Sequence, residues 1–513
     1  MDILNYLAQG FSTAFQWHNL LFALFGVIIG TMVGILPGIG PMSGVALLIP
    51  ITTSITSGLS PTEAATSSII MLAGVYYGAM YGGSATSILI NTPGESASVV
   101  TALDGYQMAK QGRAGEALSI AAIGSFFAGI MALIGLILLA EPLSDLAIKF
   151  GPVEYTALII LGLATVSGLA GKSLNKAIIM TMIGLLLSTI GIDTITGVAR
   201  FTLGQPILFS GIEFLTIAVG LFAIGEVLKT IIERDYNQGN IQKINRILPT
   251  KKDLKDSSMP ILRGSLLGFF VGILPGAGAS IASFFSYSME KSISKDKEKF
   301  GKGAIEGVAG PEAANNAAAG GAMIPLLSLG IPGSGTTAIM MGALLMYNVQ
   351  PGPLLFEKHP DVVWGLIASM FIGNLLLLIL NMPLIRMFAK IISTPPKYLL
   401  PIILAIAFFG VYAVQVTTFD LYLLIACGVL GYLLSKNDFP LAPLVLGLIL
   451  GPMLENNFRR ALTLSNGDYM FFFSSTMGNV MLLITFIWLL SPIIFGLLAR
   501  KKGFNKESIF TEE

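Results

Sequence analysis

Residues 30–40 read GTMVGILPGIG, and residues 268–278 read GFFVGILPGAG. Six consecutive residues, VGILPG, are identical in the two copies, which lie 238 residues apart (275 − 37). Each copy stands at the end of an apolar run. Proline removes a backbone donor and blocks a helix at the preceding turn, and glycine permits positive φ and close backbone approach. The two copies therefore predict two broken helices, one in each half of the chain.

The composition is that of a membrane protein. Of 513 residues, 54% are hydrophobic and only 12% are charged, whereas a soluble chain carries roughly 25% charged residues. Apolar runs long enough to span a bilayer as a helix recur along most of the sequence. A net charge of +1 argues against nucleic acid as a partner. The single cysteine, Cys427, excludes a disulfide framework and a thiolate metal site.

We predict an all-α polytopic membrane protein built from two halves. The first half is residues 1–232, the second is residues 261–499, a polar linker at 233–260 joins them, and a basic tail occupies 500–513. Basic residues concentrate in cytoplasmic loops, so we expect the linker and the tail in the cytoplasm. Several apolar stretches are too short for about 30 Å of hydrocarbon, which favours re-entrant hairpins or discontinuous helices. The candidate stretches are 20–36, 44–58, 66–92, 117–140, 155–170, 177–192, 212–232, 261–288, 308–330, 333–348, 362–393, 399–414, 419–434, 440–455 and 470–499.

The orientation contains one conflict. If every stretch crosses once, the two Pro-Gly copies run in opposite directions, as in an inverted repeat whose N-terminus lies outside. However, the basic segment 291–302 lies on the far side of stretch 261–288. Either this stretch folds back at Pro275-Gly276, or the basic loop is an exception to the positive-inside rule. Before the first stretch, apolar spacing suggests a short helix in the membrane interface, carried by Ile3, Leu4, Leu7, Phe11 and Phe15.

The repeat includes a second pair of breaks. Residues 90–98 read INTPGESAS and residues 329–337 read LGIPGSGTT, at an offset of 239 residues (332 − 93). Each half therefore carries two Pro-Gly breaks, 56 residues apart in the first half (93 − 37) and 57 in the second (332 − 275). Interrupted hydrophobic segments at corresponding positions of two halves indicate a transporter binding site near the bilayer midplane.

The breaks and their polar neighbours are the candidate binding residues. Unwound backbone at membrane depth is tolerated only inside protein or along a wet cavity. Its free N–H groups can bind a carboxylate at a helix N-terminus, and its carbonyl groups suit Na⁺. Helix packing by small residues and ordinary N-capping are the alternative explanations. The candidate substrate-binding residues are Pro37, Gly38, Gly40, Ser43, Asn91, Thr92, Pro93, Gly94, Ser96, Pro275, Gly276, Gly278, Ser280, Asn315, Asn316, Pro332, Gly333, Ser334, Thr336 and Thr337.

Two carboxylates are candidates for cation coupling. Glu95 and Glu312 flank the motifs, and an intramembrane carboxylate is a functional hypothesis by default; an interfacial or paired carboxylate is the alternative. Since no cluster of Arg or Lys coincides with the breaks, an anion would depend on backbone dipoles and hydroxyl groups. The only histidines, His18 and His359, lie far from the breaks in sequence. We therefore predict no enzymatic activity, no catalytic residue, no cofactor and no metal other than a coupling Na⁺.

Together these motifs resemble the large membrane subunit of the tripartite tricarboxylate transporters, the TctA family. The resemblance covers nearly the whole chain, and its motifs are specific in combination. It includes YGAMYGGSATS at 77–87 and ALDGYQMA at 102–109 in the first half. The other matching segments are 30–40, 90–95, 112–115, 272–276, 310–316 and 330–337.

The resemblance implies a transmembrane subunit of a secondary transporter in the bacterial inner membrane. It would import tri- or dicarboxylates such as citrate by symport with Na⁺ or H⁺. The implied partners are a periplasmic solute-binding protein (TctC-like), a small membrane subunit (TctB-like) and the lipid bilayer, and a homodimer is left open. An elevator-like transport domain would contain the motifs at 26–116 and 264–356, with scaffold and arm helices at 117–232 and 362–499. The alternative is a standalone carboxylate exchanger or channel without a soluble partner.

Overall fold

A computed structural model describes residues 3–36, 40–169, 173–193, 195–233, 247–276, 278–392 and 396–501. Within these ranges the protein is a bundle of helices with one small antiparallel sheet, in which β1 (Gly191–Ile192) pairs with β2 (Ala199–Arg200). The helices are α1 (Ile3–Ala14), α2 (Trp17–Ile35), α3 (Pro41–Ile55), α4 (Pro61–Ile90), α5 (Val99–Lys110), α6 (Ala114–Ala147), α7 (Pro152–Leu169), α8 (Leu174–Ser188), α9 (Phe214–Ala218), α10 (Gly225–Glu233), α11 (Lys251–Ile273), α12 (Gly278–Ile293), α13 (Glu306–Gly321), α14 (Gly335–Met346), α15 (Leu355–Lys358), α16 (Pro360–Ile392), α17 (Pro396–Gln415), α18 (Thr418–Lys436), α19 (Leu441–Leu464) and α20 (Thr476–Lys501).

Short segments of other helix types connect these elements. The π-helical segment Val219–Ile224 joins α9 to α10, and a second one, Pro325–Leu329, follows α13. The 3₁₀ turns are Ser96–Ser98, Pro206–Leu208, Lys297–Lys299 and Tyr469–Phe473. Among the described residues, six helices are long and apolar enough to cross a membrane: Trp17–Ile35, Ala114–Ala147, Phe214–Glu233, Pro360–Asn381, Thr418–Lys436 and Leu441–Leu464. The predicted all-α membrane class is confirmed, and the small sheet is an addition to it.

Glycine ladders hold the central helices together. A Cβ at Gly26, Gly30 or Gly34 of α2 would collide with a backbone carbonyl of α4. A Cβ at Gly264, Gly268 or Gly272 of α11 would collide in the same way with α13. The colliding carbonyls advance along both helices together, so each pair is parallel. Small residues at such interfaces let helix backbones approach closely in lipid. The two sets are related by 238 residues in α2 and α11 (264 − 26) and by 239 in α4 and α13 (310 − 71).

The interruptions of the helices also repeat in backbone conformation. Asn91 after α4 and Gly330 after Pro325–Leu329 both adopt the left-handed conformation, with φ of 57° and 69°. Glu95 and Ser334, at the other end of the same breaks, are extended, with ψ of 165° and 167°. Leu36 and Leu274, which end α2 and α11, have ψ of 114° and 117°. The sequence repeat therefore corresponds to a repeated local structure.

The stretch predicted at 261–288 is a re-entrant hairpin. Helix α11 ends at Ile273, α12 begins at Gly278, and Arg263 of α11 pairs with Glu290 of α12, at N–O distances of 2.8 and 2.6 Å. The start of α11 and the segment after α12 line one surface cavity, which contains Asp253 and Lys302. Both ends of the hairpin therefore lie at the same end of the bundle. The chain folds back at Pro275-Gly276, so the basic segment 291–302 no longer conflicts with the positive-inside rule.

Helices α2 and α3 form the corresponding hairpin in the first half. Since α2 and α4 are parallel and only five residues separate Ile55 from Pro61, α3 must return to the end where α2 begins. Helices α4 and α13, in contrast, are antiparallel. Ser84 of α4 bonds Glu312 of α13, whereas Tyr77, earlier in α4, lies against Gly320, later in α13. The two helix pairs consequently point in opposite directions.

One segment boundary and the contacts of one helix differ from expectation. The linker predicted at 233–260 is shorter, because α11 begins at Lys251 behind a Thr250 cap that Asp253 completes. Its residues 234–246 lie outside the described ranges, as do residues 502–513 of the predicted tail. The N-terminal segment is helical as expected, but it also packs on α16. The Tyr6 ring stacks on Trp364 at a centroid distance of 5.5 Å, and Gly10 lies against the backbone of Trp364.

The ladders predict which glycines are indispensable for stability. We expect Gly30→Ala and Gly268→Ala each to destabilise the protein by about 1–3 kcal/mol, because the added methyl group forces two backbones apart. Thermal unfolding in detergent measures this. Gly58→Ala is the matched control, since a Cβ at Gly58 meets nothing within 4 Å. Melting temperatures equal to that of the unmodified protein in both ladder variants would contradict the packing described here.

The hairpin predicts a pattern of sidedness. In a Cys427→Ala background, we expect Lys252→Cys and Lys295→Cys to react with a membrane-impermeant maleimide from the same side of the membrane. Ser57→Cys, which precedes α4, should react from the opposite side, because α4 is antiparallel to α13. Labelling of right-side-out and inverted vesicles checks both statements. Reaction of Lys252→Cys and Lys295→Cys from opposite sides would show that the chain crosses at Pro275-Gly276.

Candidate functional site

All four breaks contribute to one cavity of about 980 Å³. We number the breaks along the chain as 36–40, 91–95, 274–277 and 330–334. The cavity wall includes Gly40 from the first break, Gly94 from the second, Gly276 from the third and Ser334 from the fourth. Segments that are as much as 294 residues apart in sequence (334 − 40) therefore meet around one space. Concave cavities with a few convergent polar groups are the usual form of a small-molecule site.

Contacts between neighbouring breaks close this arrangement into a ring. The hydroxyl groups of Ser96, after the second break, and Ser280, after the third, are 2.7 Å apart. The backbone N–H of Gly276 donates to the carbonyl of Gly333 over 2.9 Å, which joins the third break to the fourth. The fourth break meets the first where Met42 packs on Gly335, and Gly94 packs on the carbonyl of Gly34.

Helix N-termini surround the cavity. Helix α3 begins at Pro41, α12 at Gly278 and α14 at Gly335, and residues at all three starts line the cavity wall. The 3₁₀ turn Ser96–Ser98, which leads into α5, supplies a fourth start. A helix N-terminus carries unpaired backbone N–H groups and the positive end of the helix dipole. Several such ends around one space favour an anion without any basic side chain.

The structure places about half of the predicted binding residues on the cavity wall. Those that line it are Gly40, Pro93, Gly94, Ser96, Gly276, Gly278, Ser280, Ser334 and Thr336. Those that do not are Ser43, Asn91, Thr92, Pro275, Asn315, Asn316, Pro332, Gly333 and Thr337. Pro37 and Gly38 lie outside the described residues.

Several of the residues away from the wall are occupied by other contacts. Ser43 donates to the carbonyl of Phe222 over 3.3 Å, and Thr337 completes the capping box of Ser334. Asn315 and Asn316 are fully buried and bond Glu95 and Ser125. None of these four side chains lines the cavity in this conformation, so the structure does not support their contact with a solute. For the residues on the wall, solute binding stays a prediction.

Part of the cavity wall comes from a region that sequence analysis assigned to the scaffold. Phe222, Glu226 and Lys229 line the cavity from the α9–α10 segment. Residues 435 and 438–442, around the connection between α18 and α19, also line it. Neither segment carries a Pro-Gly break, so the repeat gave no indication of them. Lys229 and Glu226 themselves were a usable signal, because ionisable residues within an apolar stretch seldom lack a role.

The cavity wall is acidic on balance. Among the described residues that line it, Glu95, Glu226 and Asp438 are acidic and Lys229 is basic. The expectation that no basic cluster coincides with the breaks agrees with this set, but one lysine does reach the cavity. A carboxylated solute would therefore enter a space lined by more acidic than basic side chains.

Glu95 and Glu312 link the two halves reciprocally. Glu95, from the first half, accepts a hydrogen bond from Nδ2 of Asn315 over 2.8 Å. Glu312, from the second half, accepts from Ser84 over 2.5 Å and also from Thr101. Glu312 is fully buried and Glu95 is 9% exposed. Within the described part of the chain, neither carboxylate has a basic partner, and burying an ionised carboxylate without one is costly.

Two amide oxygens near these carboxylates also lack partners. Oδ1 of Asn315 and Oδ1 of Asn316 are buried and accept no hydrogen bond from any described residue. Nδ2 of Asn316 faces the carbonyl of Glu312, which can only accept, and Nδ2 of Asn315 faces the Glu95 carboxylate. Carboxylate and amide oxygens are ligands that hard cations prefer. Buried, unpartnered oxygen atoms therefore lie beside both candidate coupling residues.

The fold and the cavity define a class: a multi-pass membrane protein of transporter type, with paired broken helices around a shared cavity. The profile of the family described as the tripartite tricarboxylate transporter TctA family matches residues 20–446. The chain belongs to this family. The family takes part in tripartite transport systems, which couple membrane components to a solute-binding protein, and it is a family of transporters rather than enzymes.

The similar proteins carry no assigned activity. An Agrobacterium vitis protein described as an uncharacterized 52.8 kDa protein in the TAR-I ttuC′ 3′ region is 46% identical over 513 residues, which is all of both chains. A second A. vitis protein, described as uncharacterized in the TAR-II ttuC′ 3′ region, is 50% identical over 201 residues, 39% of this chain and 83% of that protein. No solved structure matches this chain.

The contact between the second and third breaks predicts a crosslink. In a Cys427→Ala background, we expect Ser96→Cys/Ser280→Cys to form an intramolecular disulfide under mild oxidation, because the two hydroxyl groups are 2.7 Å apart. A gel-mobility assay with proteolysis between the two positions measures the crosslink. Ser96→Cys/Ser292→Cys is the control, since Ser292 lies at the distant end of α12. Crosslinking of both pairs to the same extent, or of neither, would contradict the ring of breaks.

Proposed function

We propose that this protein is the large transmembrane subunit of a binding-protein-dependent secondary transporter that imports tri- or dicarboxylates by cation symport. One observation supports this above all: four helix breaks from two repeated halves line a single cavity ringed by helix N-termini. Membership of the TctA family supports the tripartite arrangement. The partners would be a periplasmic solute-binding protein and a small membrane subunit in the bacterial inner membrane.

The two halves form an inverted repeat in this proposal. Equivalent breaks with matching backbone angles support the repeat, and the antiparallel arrangement of α4 and α13 supports its inversion. Helices α2 to α5 and α11 to α14 would move together as a transport domain, because the glycine ladders and the ring of breaks connect them. The walls from α10 and from the α18–α19 connection would belong to the fixed scaffold.

The conformation described here would face the cytoplasm. Lys229 lies near the end of α10 that precedes the basic linker, and Asp438 lies just after Lys436, so the scaffold side of the cavity is at the basic end of the bundle. Basic residues accumulate on the cytoplasmic side. The cavity would thus release its solute on that side, and uptake would require the breaks to move toward the opposite end.

The charged residues around the site support cation symport. A carboxylate brought into a cavity that is lined by more acidic than basic side chains needs accompanying positive charge. Glu95 and Glu312, which lack basic partners among the described residues, would take up Na⁺ or H⁺. The unpartnered oxygen atoms of Asn315 and Asn316 would help to hold a desolvated cation.

Transport in proteoliposomes tests the proposal. The large and small membrane subunits are reconstituted together, the purified binding protein is added outside, and uptake of labelled citrate and dicarboxylates is measured with an imposed Na⁺ or pH gradient. We expect concentrative uptake that requires both the binding protein and one of the two gradients. Uptake that is unaffected by omitting the binding protein would favour a standalone exchanger or channel. Absence of carboxylate transport under every condition would refute the proposal.

The carboxylates should govern coupling rather than folding. In Glu95→Gln and Glu312→Gln the side chains keep their shape but lose the charge that attracts a cation. The amide oxygen can still accept from Asn315 at position 95; at position 312 it can accept from one of Ser84 and Thr101, while the other hydroxyl turns to accept from the amide N–H. We expect gradient-driven accumulation to disappear, while exchange of labelled for unlabelled solute continues. Glu154→Gln is the control, because Glu154 caps the backbone of Gly151 away from the cavity. Undiminished accumulation in both test variants would remove these residues from the coupling mechanism.

A further inference from the structure

We propose that Lys229 binds one carboxylate of the transported solute in the conformation described here and thereby selects solutes with two or more carboxylates. The proposal rests on the proposed function, since it assumes carboxylate transport. It adds a specificity-determining residue on a part of the cavity wall that the breaks do not supply. The helix N-termini would hold one carboxylate of the solute and the Lys229 ammonium group a second one.

The position of Lys229 on its helix directs it at the cavity. Glu226 and Lys229 are three residues apart on α10 and share one helical face, and both line the cavity together with Phe222 of the preceding π-helical segment. This face is docked beside the first break, because Ser43 of α3 donates to the carbonyl of Phe222. Lys229 lies seven residues further along the chain, toward the linker that precedes α11. The breaks and Lys229 line the same cavity, and a solute with carboxylates at both ends would contact them together.

The charge of Lys229 is available for a solute. Its side chain is 42% exposed, and its Nζ lies 3.9 Å from Oε1 of Glu226. This distance is within the range of an ion pair but beyond a hydrogen bond, so the ammonium group can turn toward the cavity. Among the described residues that line the cavity, Lys229 is the one basic side chain.

Lys229 supplies a full positive charge, which the breaks do not. Backbone N–H groups and serine hydroxyls at the breaks offer partial charges, and Glu226, three residues from Lys229 on the cavity wall, opposes a second carboxylate. A single ammonium group offsets that repulsion at the place where the second carboxylate would lie. A monocarboxylate, held at the breaks alone, gains nothing from it. Lys229 should therefore contribute to discrimination between solutes more than to the affinity for carboxylates in general.

Solute binding to the purified membrane complex tests the proposal. Affinities for citrate, succinate and butyrate are measured by calorimetry in detergent, and gel filtration verifies that each variant remains folded. For Lys229→Gln we expect Kd for citrate and succinate to rise about tenfold, roughly 1.4 kcal/mol, with little change for butyrate. Lys229→Arg should retain most of the preference, because it keeps the charge.

Two further variants test whether the effect on Kd is specific to the charge of Lys229. Glu226→Gln removes the nearby negative charge and should lower Kd for citrate and succinate, the opposite sign to Lys229→Gln. Lys436→Gln is the matched control, since Lys436 lies at the same end of the bundle over the Tyr432 ring and outside the cavity wall. If the unmodified protein binds citrate and succinate, and the Lys229→Gln variant keeps the same preference for them over butyrate, this inference is overturned but the proposed function is not. Unmodified protein that binds no carboxylate would overturn the proposed function and this inference with it.

Discussion

The structure depends on one constraint: peptide groups freed by helix breaks inside an apolar protein must find partners or face a wet cavity. Here they do both. The N–H of Gly276 donates to the carbonyl of Gly333, so one break satisfies another. Described residues from all four breaks also line a shared cavity. The breaks are therefore stable as a set, because each supplies the polar surroundings that its neighbours need.

The glycine ladders make this arrangement geometrically feasible. Because no side chain separates α2 from α4 or α11 from α13, the helix backbones touch and the breaks at their ends lie close together. The same close packing lets Gly94 reach the carbonyl of Gly34. The same glycines are consequently required both for helix packing and for bringing the breaks together around the cavity. The glycines that sequence analysis could assign either to packing or to function serve packing directly and position the breaks through it.

The buried polar side chains between the halves also find their hydrogen-bond partners in the opposite half. Glu95 of the first half bonds Asn315 of the second, while Glu312 of the second half bonds Ser84 and Thr101 of the first. Each half thus places a carboxylate among the polar groups of the other. Hydroxyl and amide groups donate hydrogen bonds but supply no net positive charge. This shortage links the internal packing to the cation that the proposed symport requires.

Sequence alone determined the helical membrane class, the two halves and the positions of the breaks, because apolar length and Pro-Gly pairs act locally and Pro-Gly pairs recur at a fixed offset. It also singled out the carboxylates Glu95, in the second break, and Glu312, in α13. Only the tertiary structure decided that stretch 261–288 folds back, that Asn315 and Asn316 face inward, and that Lys229 reaches the cavity. These outcomes depend on which helix faces meet across hundreds of residues. No local pattern encodes that pairing, since each side chain's partner is set by the packing of distant backbones.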